Sequence, residues 1–197
     1  MTQRERVHCG GRRRHSKKIR PFLQGGLDGL GGVYSIVNAV RVLCPELDNE
    51  AFEILFDHLM QSMKKAGAEP SLTITGGIGQ RVLAALLKEA LTDVVAEYDI
   101  NLTCRRLPKK LRRTTNLGGL YRRLEATLSP TCVAVLGMGG RHCHWTIAVS
   151  ATQHRIRLFD STRMSVLRRR DCTVRKAVKR TGISLPHVFL VERRDGS

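Results

Sequence analysis

Two short stretches of this chain carry residue types that do chemistry. In the first, Gln24-Gly25-Gly26-Leu27-Asp28-Gly29-Leu30-Gly31-Gly32 runs straight into the apolar Val33-Tyr34-Ser35-Ile36-Val37-Asn38-Ala39. A glycine-dense loop at a helix start presents unsatisfied backbone N–H groups and the positive end of the helix dipole, which suits an anion, an oxyanion or a thiolate. Five glycines between positions 25 and 32 also permit positive φ and the close approach of a second backbone. In the second stretch, His142-Cys143-His144-Trp145 opens a strand-like run to Val149, and Arg155-Ile156-Arg157-Leu158-Phe159-Asp160-Ser161 follows after a turn. If the two runs pair as a hairpin, His144 and Asp160 meet. The carboxylate would then hold the imidazole in one tautomer and stabilise its protonated form. A lone His and Asp in a hairpin would be an ordinary polar pair, but the glycine loop and Gln24 upstream make the set a candidate catalytic arrangement.

These residues need elements to position them, and hydrophobic periodicity supplies the outline. A helix is expected through Tyr34, Val37, Val40 and Leu43, closed by Cys44-Pro45. A second starts near Asp48, whose side chain can cap it, with Phe52, Leu55, Phe56, Leu59, Met60 and Met63 at helical spacing, and stops near Gly67. A third covers Ile78 to Tyr98. Beyond it the period becomes extended: a strand near 99–104, a basic loop 105–113, a helix near 117–128, then strands at 132–138, 144–150 and 155–160 joined as antiparallel hairpins. A basic helix near 174–180 precedes a last strand at 187–192, with Gly182 and Pro186 between them. Helices first and an antiparallel sheet afterwards predict an α+β domain, its helical N-terminal half packed on a C-terminal sheet.

The chain has 197 residues, 42% of them hydrophobic, enough for one well-buried core. The expected organisation is a basic flexible arm over 1–20 and one domain over 21–197, helical to about 98 and sheet-forming from about 99. The formal charge of +17 is unevenly spread. Residues 1–20 hold 8 Lys/Arg against 1 acid, residues 21–100 hold 5 against 11, and residues 101–197 hold 21 against 5. Basic ends of this kind suit an acidic protein partner or nucleic acid, the plain alternative being a solvated face. Aromatic residues are only 5%, a poor basis for stacking single-stranded bases. No apolar run is long enough to span a membrane and the N-terminus has no apolar signal region, so a cytoplasmic location is expected. Six scattered cysteines without a CxxC pair suit reduced thiols. Cys44 and Cys132 read as buried core thiols, whereas Cys172, among Arg168, Arg169, Arg170 and Arg175, is expected to have a depressed pKa. His142, Cys143 and His144 fall short of the four spaced ligands of structural zinc, so no metal or cofactor is expected.

The segment Gln24 to Ala39 resembles the nucleophile region of papain-like cysteine peptidases, where a glutamine precedes the nucleophile by about two helical turns and Cys-Gly opens a helix. His144-Trp145 and Leu158-Phe159-Asp160-Ser161 are similar to the general-base and orienting-carboxylate segments of that superfamily. The order loop, His, Asp is also that of bacteriocin-processing peptidases and transglutaminase-like enzymes. SUMO-specific proteases have similar His-Trp and Asp-Ser pieces, but there the glutamine and cysteine follow the histidine. The resemblance covers roughly 22–44 and 132–162. It implies a papain-like fold and hydrolysis of a peptide or isopeptide bond, with Gln24 as side-chain oxyanion donor, His144 as general base, Asp160 as its orienting group and Trp145 as a shield from water. Gly25, Gly26, Asp28 and Gly32 would lie along a protein or peptide substrate, and the basic surface suits an acidic one.

The departure is at the nucleophile position, which falls on Gly31. Glycine offers no atom for covalent catalysis, so the chain as written is expected to be catalytically dead. It is either a pseudoenzyme or a deliberately inactivated peptidase. The alternatives are a non-catalytic binding module for an acidic protein or nucleic acid, and a transglutaminase-like acyltransferase, which uses the same acyl-enzyme chemistry with an amine in place of water. Cys143 is no substitute nucleophile, because neighbouring strand residues point to opposite faces.

Overall fold

The computed structural model describes residues 19–25, 29–69, 73, 76–94, 97–107, 116–140, 142–174 and 180–194. Gly26, Asp28, nearly all of the basic arm, most of the basic loop at 105–113 and most of the helix expected at 174–180 lie outside these residues.

Among the described residues, four α-helices and seven strands form a mixed helix and sheet arrangement around one mainly antiparallel sheet, compatible with the expected α+β class. Helix α1 (Gly31–Leu43) starts earlier than its apolar spacing indicated, directly at the glycine pair, and buries Val33, Ile36, Val37, Val40 and Leu43. Helix α2 (Asn49–Lys65) starts as its capping residue dictates: Asp48 accepts a 3.0 Å hydrogen bond from Ala51 N–H. Lys64 and Lys65 in its last turn oppose the negative end of the dipole. The single helix expected over 78–98 is corrected. Helix α3 covers Gln80–Glu89, its register loosens into a π turn at Ala90–Val94, and Asp99 stands at φ 57, a conformation that no helix continues through. Helix α4 (Leu117–Thr127) is capped by Asn116, which accepts from Gly119 N–H at 2.8 Å.

The strands are β1 (Asn101–Arg106), β2 (Cys132–Gly140), β3 (His144–Ala151), β4 (Arg155–Leu158), β5 (Val166–Arg168), β6 (Cys172–Thr173) and β7 (Thr181–Arg194). They lie in the order β1-β7-β2-β3-β4-β5, all neighbours antiparallel, and β6 adds a short parallel pairing to β7. Both expected hairpins, β2–β3 and β3–β4, are present. Strand β7 begins at Thr181, six residues before the expected start. Its pairing with β2 jumps from Leu136↔Val188 to Met138↔Ile183, so 184–187 bulge out of the ladder, and the bulge accommodates Pro186, which has no N–H to donate. Gln80 Nε2 donates to the carbonyl of Pro186, tying the bulge to α3.

Alternation along the central strands gives each face its own core. Val133, Val135, Ile147, Phe189 and Val191 pack under α1, α2 and α3, while Ala134, Leu136, Ala148, Val188 and Leu190 pack against Leu120, Tyr121 and Leu124 of α4. The sheet is therefore covered on both sides, and α4 does not join the N-terminal helices. No helix among the described residues is long and apolar enough to cross a membrane.

Candidate active site

The β3–β4 hairpin sets the first half of the site. Ala148 pairs with Leu158, and Phe159 N–H donates to Ile147 carbonyl, which carries the chain back beside Thr146 and puts Asp160 diagonal to His144. His144 Nε2 lies 3.0 Å from Asp160 Oδ2. The other carboxylate oxygen, Oδ1, accepts from Thr162 N–H (2.8 Å), Thr162 Oγ1 (2.6 Å) and Met164 N–H (3.2 Å). That tight turn requires Arg163 at φ 67, a conformation uncommon for a side chain of its kind. Burial opposes ionisation of Asp160, but the hydrogen bonds from His144 and the Thr162 hydroxyl outweigh it and hold its pKa at about 2. An ionised carboxylate only accepts, so the shared proton sits on Nε2, and Nδ1 is the nitrogen left bare in the tautomer that Asp160 selects.

That bare nitrogen faces the start of α1. A Cβ built on Gly31 would lie 2.8 Å from His144 Nδ1, 2.8 Å from its Cε1 and 2.9 Å from Gln24 Oε1. These contacts are shorter than a real Cβ makes, so the ring and the amide have closed in on the space that a side chain at position 31 would use. No side chain caps α1, whose N-cap position is Leu30, and its first turn carries no acid. The positive helix end is thus directed at this same space.

Gln24 is held from two sides. Its backbone N–H donates to Ser161 carbonyl at 3.1 Å, and Ser161 Oγ donates to its Oε1 at 3.5 Å. Two residues earlier, Phe22 exchanges both of its backbone bonds with the fully buried Asn38 of α1: Phe22 N–H donates to Oδ1 (2.8 Å) and Asn38 Nδ2 donates to Phe22 carbonyl (3.0 Å). Asn38 thereby acts as a strand partner for the segment carrying Gln24. It was not singled out from sequence, although an Asn inside Ile36-Val37-Asn38-Ala39-Val40 is the available signal, since a buried amide must be satisfied.

Gln24, Gly31, His144 and Asp160 therefore converge. The remaining expected positions fall elsewhere. Gly25 is exposed beside Gln24. Gly32 is buried, and a Cβ there would come within 2.3 Å of Ile78, so this glycine serves close packing. Trp145 is 9% exposed, donates its indole N–H to Ile78 carbonyl at 2.8 Å, and packs against His187 and Phe189. It belongs to the core beneath His144.

Cys44, Cys104, Cys132 and Cys172 are not activated thiols. Burial pushes Cys44 up to about 12 and Cys104 up to about 11, and it raises Cys132 as well. Cys172 corrects the expectation drawn from its arginine neighbours. It is buried at 1% exposure, that burial raises its pKa, and Tyr121 Oη is its nearest partner at 3.5 Å. Arg168, Arg169 and Arg170 are exposed, whereas the thiol is not. Cys143 is exposed on the β2–β3 turn. Among the described residues, no three His, Cys, Asp or Glu side chains are grouped to hold a metal ion.

No family model matches this chain, and no match to it was found among curated proteins.

Proposed function

We propose that this fold is that of a papain-like cysteine peptidase, acting on a peptide or isopeptide bond through a Cys-His-Asp arrangement, and that Gly31 makes the chain as written an inactive form. The reading is carried by one observation: the direction of a side chain at position 31 leads to His144 Nδ1, while Nε2 of the same ring is bonded to an ionised Asp160. A thiol there would meet a base already in the correct tautomer, and the resulting thiolate would face an uncapped helix start. After attack on a carbonyl, the oxyanion would be stabilised by N–H groups at the head of α1 and by the Gln24 amide, once a half-turn about its last side-chain bond brings the NH₂ forward. His144, protonated on Nδ1 by the thiol, would return that proton to the leaving amine.

Restoring the nucleophile tests this. Gly31→Cys mixed with p-nitrophenyl acetate is expected to give a burst of p-nitrophenol and an enzyme heavier by one acetyl group, with neither seen for the chain as written. A Gly31→Cys protein that folds and shows no burst would sink the reading. Replacing water by an amine acceptor in the second step distinguishes a hydrolase from an acyltransferase.

A further inference from the structure

The outer end of the β4–β5 hairpin carries an arginine-lined groove that leads away from the candidate centre. Two adjoining cavities, of about 650 and 780 Å³, share Arg168, Arg170 and Arg180. The first reaches His142 and Met164, and Met164 N–H is itself bonded to Asp160 Oδ1. The second continues past Arg155 to the start of α4. The five arginines on the two cavities, Arg155, Arg168, Arg169, Arg170 and Arg180, are exposed, and among the described residues none of Arg155, Arg168 and Arg180 forms an ion pair. Arg170 has only a loose 3.9 Å contact with exposed Asp171.

The arrangement is costly without a ligand. Arg155 and Arg168 are directly opposed across β4 and β5, where facing side chains are about 5 Å apart and like charges destabilise the pair. An anion lying between them would relieve that repulsion. Arginine also offers a planar fork of donors that fits a carboxylate with two parallel bonds.

We infer that this groove binds an acidic stretch of polypeptide and delivers the residues beside it to the His144–Asp160 centre. The inference rests on the hydrolase reading for its second half, since the groove gains its purpose from opening beside Met164. An extended chain following β5 from Met164 to Arg168 covers about 13 Å, or about four residues, at the usual strand rise. Carboxylates on alternate residues of such a chain would meet Arg168 and then the Arg155 and Arg180 side. Nucleic acid is the less fitting occupant because, among the described residues, no Phe, Tyr or Trp lines either cavity to give successive bases a stacking platform.

The test uses the full chain and three fluorescein-labelled probes: an oligoglutamate, an oligolysine, and a single-stranded oligoribonucleotide matched in charge to the oligoglutamate. Arg168→Glu/Arg170→Glu changes the groove. Arg81→Glu/Arg194→Glu, at exposed sites on α3 and at the end of β7, makes the same change in net charge elsewhere. Expected is oligoglutamate binding that weakens about tenfold or more in the groove variant, as for loss of two charge-assisted contacts, and about twofold or less in the control. Equal weakening in both variants would reduce the effect to net charge and overturn the inference. Tighter binding of the oligoribonucleotide, lost in the groove variant, would overturn it in favour of a nucleic-acid surface. The acyl burst of Gly31→Cys is read without the groove, so a silent centre with intact oligoglutamate binding would remove the hydrolase reading and leave the groove as a docking surface for acidic chains.

Discussion

Helices α1 and α2 follow one another in sequence and begin in opposite ways. The Ala51 N–H in the first turn of α2 is served by Asp48, an acid follows at Glu50, and its start faces solvent. The start of α1 has Leu30 where a cap belongs and Gly31 and Gly32 where helix formers would be better, and it faces a histidine whose bare nitrogen is fixed by a buried carboxylate. The local rules for helix starts are obeyed where a helix has only to be stable. They are broken where a positive helix end is turned toward the His144–Asp160 pair.

If α1 depends on tertiary anchoring where α2 depends on its own cap, removing the anchor should cost most. Asn38→Ala leaves both backbone groups of Phe22 without their partner and is expected to cost about 2 to 3 kcal/mol in denaturant-derived stability. It should also slow acylation of Gly31→Cys by releasing the Gln24 segment. An unchanged denaturation midpoint would show that this segment is held by other contacts.

The next largest effect concerns pH. The Asp160 pKa is lower in the folded protein than in the unfolded chain, so its contribution is complete above the ordinary carboxyl range and is lost as pH falls from about 4 to about 2. A shift of this size corresponds to about 2 kcal/mol. Asp160→Asn is expected to lose about that much at neutral pH and to show a flatter decline of stability with acid, measured by urea midpoints across the range. Parallel acid limbs for the two proteins would mean that Asp160 is not held ionised by its neighbours.

The smallest effect belongs to α2. Asp48→Ala should cost about 1 kcal/mol through loss of the cap. It should leave acylation of Gly31→Cys unaltered, whereas an equal loss of acylation would erase the distinction between the two helix starts.

The parts of this molecule that were legible in the sequence are those specified by local pattern. Asp48 announced α2, alternation announced the β2–β3 and β3–β4 hairpins, and the hairpin register then required His144 and Asp160 to meet. What was not legible depends on distant partners. Gly32 is a glycine because Ile78 lies over it, and Asn38 matters because Phe22 comes back across α1. Cys172 has charged sequence neighbours, but its pKa follows its burial beside Tyr121, which no local window reveals. Strand β7 runs through Pro186 because a bulge removes the need for that residue's missing donor.

The most direct measurement is the pKa of the thiol in Gly31→Cys, followed by thiolate ultraviolet absorbance against pH, alone and combined with His144→Ala. The account predicts a thiolate formed well below the ordinary thiol range of about 8.5 and a return to that range when the imidazole is removed. A thiol that titrates near 8.5 in both proteins would contradict the claim that α1, His144 and Asp160 form one centre.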